Sequence, residues 1–217
     1  MMDLLEWVVK KSEELGADET EVFYSDEFTQ SIDMQHGNLK DINITKERGV
    51  AIRVVVGKKI GFATSNIIEK DKLEEALKKA ISIARSSKEN PEWINLPMPK
   101  TMPTVKGLVD ETLINLEPNQ LVTEMFQLIA ELQEKEKRII PVLGSIKCYV
   151  SETAILNSNG INLKQKQTGF LRVIGIVVKL DNTTSPMMVA YRAYQKYVPD
   201  YSKLIEELIS DVKKSLV

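Results

Sequence analysis

The chain is poor in the residues that most often carry out chemistry. Its 217 residues include one cysteine, Cys148, and one histidine, His36. A single thiol excludes an internal disulfide, and a zinc site needs three or four converging nitrogen, sulfur or oxygen ligands. Ser151, Ser158 and Ser185 lack the histidine context of a hydrolytic triad. We therefore expect a turn histidine, a buried unreactive thiol, and no catalytic, cofactor-binding or metal-binding residue in this chain.

Long apolar runs and an excess of one charge are also missing. No segment has the length and apolarity of a membrane span, and the first residues do not form a secretory signal, which predicts a cytoplasmic protein without a membrane partner. The net charge is -2 with 28% charged residues of mixed sign, so nucleic acid is not an expected partner. The acidic residues between 18 and 27 lack the ligand order of a calcium loop and predict a solvated strand edge. They are Asp18, Glu19, Glu21, Asp26 and Glu27.

The best-defined local structure is a β-hairpin over residues 49–64. Two runs rich in β-branched residues flank a turn that begins at Gly57. Alternation places Val50, Ile52 and Val54 on one face of the first arm, and the opposite face is also largely apolar. The arm is therefore predicted to be a central strand covered on both sides. Gly61 interrupts the second arm, which indicates a bulge or the close approach of another backbone.

Hydrophobic periodicity predicts an α+β fold of two layers, with helices packed on a twisted, largely antiparallel sheet. Asp71 and Glu74 have the spacing of a capping box, and Pro118 suits a first helical turn. A proline-rich connection over 89–107 separates two halves, about 1–88 and 117–217, that repeat a helix, strands, helix plan and suggest an internal duplication. Helices are predicted over 3–15, 73–85, 118–132 and 200–216, and strands over 21–35, 39–46, 145–155, 161–167, 170–179 and 188–194.

The hairpin also carries a resemblance to a known family. Gly49-x-x-x-Arg53-Val54, followed by Val56-Gly57-x-x-x-Gly61-Phe62-Ala63-x-Thr64, is similar to the N-terminal domain of the TldD/PmbA family, known as modulators of DNA gyrase. The junction over 16–22, the helix over 73–85 and the run over 155–160 continue the pattern in the order of PmbA-type (TldE) members. The similarity covers most of the chain. Its motif residues are Gly49, Arg53, Gly57, Gly61, Phe62 and Gly160.

The resemblance implies a role within a larger assembly. TldD-type members resemble metallopeptidases in which a His-Glu-x-x-x-His helix holds a divalent metal, zinc, and this motif is absent here. The family's C-terminal domain is expected to lie outside these residues. The resemblance thus implies a non-catalytic N-terminal domain of a PmbA/TldE-like component. It would provide scaffold, dimerisation and substrate access for proteolysis of peptides or unfolded chains, paired with a TldD-like subunit or with itself.

Two other functions remain as alternatives, and the role of two arginines is undecided. The chain is alternatively a stand-alone protein-interaction module that binds an extended peptide along a strand edge, or a regulator associated with DNA gyrase. Arg53 and Arg172 each lie in a strand with apolar neighbours on both faces. A buried guanidinium needs carboxylate or carbonyl partners, so each arginine is expected in a structural ion pair or, alternatively, at an interface.

Overall fold

The computed structural model describes residues 1–215, which form five helices and seven strands. The helices are α1 (Met2–Glu14), α2 (Lys70–Ser86), α3 (Glu111–Ile114), α4 (Pro118–Lys135) and α5 (Ser202–Ser215). The strands are β1 (Glu19–Gln35), β2 (Asn38–Val56), β3 (Lys59–Ser65), β4 (Ile139–Asn157), β5 (Asn162–Leu180), β6 (Thr183–Thr184) and β7 (Met188–Tyr194). Within residues 1–215 no helix combines the length and the apolar composition needed to cross a membrane.

The strands form an open antiparallel sheet. Their order is β3-β2-β1-β4-β5-β6, and β7 also pairs with β5. The predicted α+β class is therefore confirmed. The order α1-β1-β2-β3-α2 recurs as α4-β4-β5-β7-α5, apart from the two-residue β6, so both halves of the sequence follow one plan.

The described residues divide into two compact units, each built from both halves of the sequence. The first unit contains residues 1–27, 47–105 and 151–166, and the second contains 28–46, 106–150 and the described residues from 167 on. In the first unit α1 and α2 pack on β1, β2 and β3, with Ala154 and Leu156 of β4 in the same core. In the second unit α4 and α5 pack on a core that includes Ile32, Ile146 and Ile174.

The predicted hairpin is present. Gly57 and Lys58 both have positive φ, 54° and 61°, which is the backbone of a two-residue type I′ turn. Val50 pairs with Ser65 and Val56 with Lys59 in an unbroken antiparallel ladder. Because β2 lies between β3 and β1, its predicted central position is confirmed. Its second face is only partly covered, since Val55 is buried but Arg53 is half-buried.

Local details differ from the predictions where short-range patterns mislead. The capping box at Asp71 is wrong, because α2 begins at Lys70 with Glu69 as an extended N-cap and no side-chain cap hydrogen bond. β4 begins at Ile139, six residues before the predicted start. The sequence pattern also missed α3, a single turn whose N-cap Asp110 accepts a hydrogen bond of 2.9 Å from the Thr112 backbone N–H. Leu216, the last residue of the predicted helix over 200–216, lies outside the described residues.

Close backbone contact explains the glycine in β3. A Cβ at Gly61 would lie 2.0 Å from the Ala80 carbonyl oxygen and 2.5 Å from the Ala84 nitrogen, so α2 packs directly on the β3 backbone. The predicted approach of another backbone is therefore confirmed. Gly49 has no such neighbour, because its nearest atom to an added Cβ is the Ser65 carbonyl oxygen at 3.4 Å.

We expect Gly61→Ala to lower the free energy of unfolding by about 1–3 kcal/mol, because α2 must move away from β3. Gly49→Ala is the matched control and should change it by less than about 0.5 kcal/mol. Urea unfolding followed by circular dichroism measures both. Equal effects of the two substitutions would contradict this account of Gly61.

Candidate functional site

Arg53 lies at the centre of a partly uncovered surface of the first unit. Its Nη2 donates to Glu21 Oε1 at 2.6 Å, and the two side chains are 27% and 14% exposed. The guanidinium carbon lies 5.9 Å from the centre of the Phe62 ring and 5.8 Å from that of Trp93, within cation–π range. Arg53 Nε is buried and has no hydrogen-bond partner in the described part of the chain. The ion pair is thus present, and an interface role for Arg53 stays a prediction.

A groove runs beside this arginine on the side of β2 away from the core. Its volume is about 470 Å³, and its floor is formed by the small residues Gly49 and Ala51. Phe23 borders it and is 44% exposed, while Phe62 on the neighbouring strand is 55% exposed. No charged residue lines the groove, whose other lining residues are Ser25, Val50, Thr64, Ser65 and Asn66. We call the surface formed by Phe23, Ala51, Arg53, Phe62 and Thr64 the open face.

The acidic residues near the start of β1 hold neighbouring segments in place. Asp18 Oδ2 accepts the Gly57 backbone N–H at 2.6 Å, which ties the hairpin turn to the start of β1. Glu19 accepts the Trp93 indole N–H at 2.9 Å and the Leu96 backbone N–H. With Glu21 paired to an arginine, the predicted solvated strand edge is wrong. The reason is that the proline-rich connection, remote in sequence, runs alongside these carboxylates.

The turn between β4 and β5 holds the same connection. Asn157 Nδ2 donates to the Pro97 carbonyl oxygen at 2.8 Å, and Asn159 Nδ2 donates to the Leu96 carbonyl oxygen at 2.7 Å. Leu96 is fully buried as a result. Gly160 lies in this turn with a φ of 96°. The sequence pattern identified the turn but missed the two asparagines as its functional side chains.

Arg172 has a different environment, in the core of the second unit. It is 1% exposed, and its Nε donates to Glu124 Oε1 on α4. Glu124 Oε2 accepts the Tyr197 hydroxyl at 2.9 Å, and burial, with Glu124 beside it, raises the pKa of Tyr197 to about 12. The Arg172 guanidinium carbon lies 4.7 Å from the centre of the Phe170 ring. These contacts form a structural ion pair, and an interface role for Arg172 also stays a prediction.

Glu124 was missed in the sequence, although a signal was present. It lies three residues after Leu121 and four before Leu128, so helical spacing places it on the buried stripe of α4. Glu124 lines a cavity of about 340 Å³, and the other lining residues are uncharged. They are Asn119, Gln120, Thr123, Gln127, Tyr197, Pro199 and Tyr201.

The single histidine and the single cysteine lie in unrelated places. His36 is in the turn after β1, with a φ of 50°. Cys148 is 2% exposed, and burial raises the pKa of its thiol to about 11. Over residues 1–215 no group of three or more histidine, cysteine, aspartate or glutamate side chains has the arrangement of a metal site.

The described residues therefore define an α+β module with a strand-built groove, in which Arg53 and Arg172 are paired with Glu21 and Glu124. Residues 20–84 match the family model for PmbA/TldA metallopeptidase domain 1. This match confirms the resemblance found in the sequence, since residues 20–84 are similar to the first domain of the TldD/PmbA family.

Solved structures share the fold. TldE from Thermococcus kodakarensis matches with a TM-score of 0.88 and 20% identity, over 97% of this chain and 47% of that chain. A protein from Bacteroides thetaiotaomicron named as a modulator of DNA gyrase matches with a TM-score of 0.82 and 17% identity, over 95% of this chain and 49% of that one. A protein of the same name from Thermotoga maritima has a TM-score of 0.77 and 15% identity, over 91% of this chain and 44% of that one.

A curated relative is also more than twice as long as the segment that it shares with this chain. An uncharacterized protein of Methanocaldococcus jannaschii is 23% identical over 175 residues, which are 80% of this chain and 39% of that protein. The chain thus spans less than half the length of the relatives it matches.

We expect Arg172→Met to lower the free energy of unfolding by about 3–5 kcal/mol, because Glu124 is left buried without its cation. The double variant Arg172→Met/Glu124→Met should recover most of this loss. Arg53→Met, at a half-buried pair, should cost about 1 kcal/mol or less. Urea unfolding of the four proteins measures this, and a double variant no more stable than Arg172→Met would contradict it.

We expect the Cys148 thiol to resist Ellman's reagent in the native protein at pH 8 and to react at once in guanidinium chloride. Because its folded pKa of about 11 lies above the ordinary value, the native state keeps a proton that the unfolded state loses. Its contribution to stability is complete below the unfolded pKa and is lost as the pH rises toward 11. Cys148→Ala should flatten the fall in stability over this range, and rapid native labelling would contradict the burial.

Proposed function

We propose that this chain is the non-catalytic N-terminal domain of a PmbA/TldE-like component of a TldD-type metallopeptidase system. In such a system it provides scaffold, subunit pairing and substrate access for proteolysis of peptides or unfolded chains. The first-domain match and the fold shared with TldE support this role. The observation that carries it is a long stretch of strand whose side chains have no cover.

This stretch is the first part of β2. Every residue from 38 to 48 is exposed, so side chains on both faces of the strand are uncovered. We call residues 38–48 the β2 arm. β3 pairs with Val50–Val56, so among residues 1–215 no strand pairs with the arm on the side away from β1. Leu39, Ile42 and Ile44 are 40%, 45% and 59% exposed. Long, unpaired strand edges are sites where a second chain adds. Five of the eleven residues of the arm are charged, so a chain that adds here must match these charges.

Charge disfavours two of the registers in which the arm could pair with a second copy of itself. Suppose that two copies of the arm pair antiparallel about a twofold axis. Residues opposite each other lie on the same face of the sheet, so the axis passes between two copies of the same residue. Pairing centred on Asn43 sets Lys40 opposite Lys46, and pairing centred on Ile44 sets Asp41 opposite Glu47. Like charges directly opposite each other destabilise a strand pair. A strand from a TldD-like subunit avoids this constraint.

The chemistry of cleavage would then belong to the partner. A metal held by the TldD-like subunit would polarise the peptide carbonyl and activate water. Four carboxylates of this chain contact backbone N–H groups or arginines of their own fold: Asp18, Glu19, Glu21 and Glu124. They fit the role of structural supports and do not fit that of a ligand set.

We expect the purified chain to form a one-to-one complex with a TldD-like subunit of the same organism, measured by size-exclusion chromatography with light scattering. Ile44→Lys, at the middle of the β2 arm, should weaken this complex at least tenfold because a charge would be buried at the contact.

Ile94→Lys is the matched control, since Ile94 is 88% exposed and lies outside the arm. A chain that stays monomeric beside the TldD-like subunit would overturn the proposal. If the chain instead forms a homodimer that Ile44→Lys dissociates, the partner at the β2 arm is a second copy of this chain and not a TldD-like subunit.

A further inference from the structure

β3 is an outer strand with an unprotected edge. In the described part of the chain it pairs only with β2, and the two-residue turn makes Val56 and Lys59 a hydrogen-bonded pair. Alternation along the ladder then directs the backbone N–H and C=O groups of Ile60, Phe62 and Thr64 away from β2. Among the described residues, no turn, loop or cap backbone hydrogen bond reaches these groups.

The composition of β3 does not block pairing. Natural edge strands are usually protected by an interior charge, a proline or a bulge. β7 is another seven-residue outer strand and has such a charge, Arg192, which pairs with Glu207 on α5. β3 reads Lys-Ile-Gly-Phe-Ala-Thr-Ser, and its only charge, Lys59, is at the turn.

The groove lies on the same face as the outward side chains of β3. Thr64 belongs to both, because it lines the groove and pairs with Ala51 on the groove floor. A strand added beside β3 places alternate side chains on this face, next to Phe62 and Thr64. The uncharged lining and the 470 Å³ volume suit a large apolar side chain.

The size of the edge argues for a peptide over a second copy. A seven-residue strand is about 24 Å long. A single strand contact of this length is too small to bury the roughly 1,200–2,000 Å² of a stable protein pair. An extended peptide needs only backbone hydrogen bonds and one or two side-chain sites.

We propose that the β3 edge binds an extended polypeptide segment as an added strand and that the groove takes one large apolar side chain of that segment. The backbone groups of Ile60, Phe62 and Thr64 provide affinity without sequence preference. Gly49 and Ala51 leave the space that selects an apolar side chain. This inference deepens the proposed substrate access, but it requires no TldD-like subunit for the binding itself.

The test uses the purified chain and a fluorescein-labelled peptide, acetyl-Thr-Val-Thr-Phe-Thr-Val-Thr-amide, followed by fluorescence anisotropy. Two further peptides carry N-methyl groups on alternate residues, one on the odd positions and one on the even positions. Only one edge of the peptide can face β3, so we expect one N-methylated peptide to bind at least tenfold more weakly and the other to bind nearly as the parent does.

Variants locate the site. Phe62→Lys places a charge on the edge and should weaken binding at least tenfold, whereas Tyr191→Lys on β7, where Tyr191 is 65% exposed, should not change it. Ala51→Leu fills the groove floor and should remove the preference for the parent peptide over one with alanine in place of phenylalanine. Thermal melts confirm that each variant is folded.

The outcomes separate this inference from the proposed function. Equal binding of both N-methylated peptides, or peptide binding that Phe62→Lys leaves intact, would overturn the β3 site. A homodimer dissociated by Phe62→Lys would also overturn it, since a second copy would occupy the edge. If no complex with a TldD-like subunit forms, the proposed role of the β2 arm is overturned. The result for peptide binding at β3 is not affected.

Discussion

The length of four strands is the constraint on which the rest of the structure depends. β1, β2, β4 and β5 have 17 to 19 residues, and each contributes to both compact units. On β1, for example, Val22 is buried in the first core and Ile32 in the second. Two small cores built on shared strands therefore replace one large core. Because helices cover one side of the strands in the first unit, the groove on the other side of β2 remains open.

Charged side chains hold backbone segments together. Glu19 anchors the proline-rich connection, Asp18 anchors the hairpin turn, and Glu124 joins α4 to β5 through Arg172. A carboxylate whose oxygens accept such hydrogen bonds has fewer lone pairs free to bind a metal. These contacts support the proposal that this domain presents surfaces and leaves chemistry to another subunit.

The two exposed strand edges differ in the kind of partner that they can bind. The β2 arm is long, exposes side chains on both faces and carries charges of both signs, which matches pairing with another folded chain. The β3 edge is short and has a single concave groove beside it, which matches an extended peptide. Placing pairing and peptide capture on separate strands would let one domain do both at the same time.

The sequence by itself determined the local structure: the helical stripes, the strand alternation, the Gly57 turn and the need for glycine at 61. These features depend on neighbours within a few residues, so periodicity reports them. Only the tertiary structure decided which partners the charged side chains have and how deeply they are buried. Arg53 and Arg172 occupy similar apolar strands, yet one is half-exposed beside Glu21 and the other is buried against Glu124. Their partners lie 32 and 48 residues away, and Glu19 meets Leu96 across 77 residues, distances at which no local pattern specifies which side chains meet.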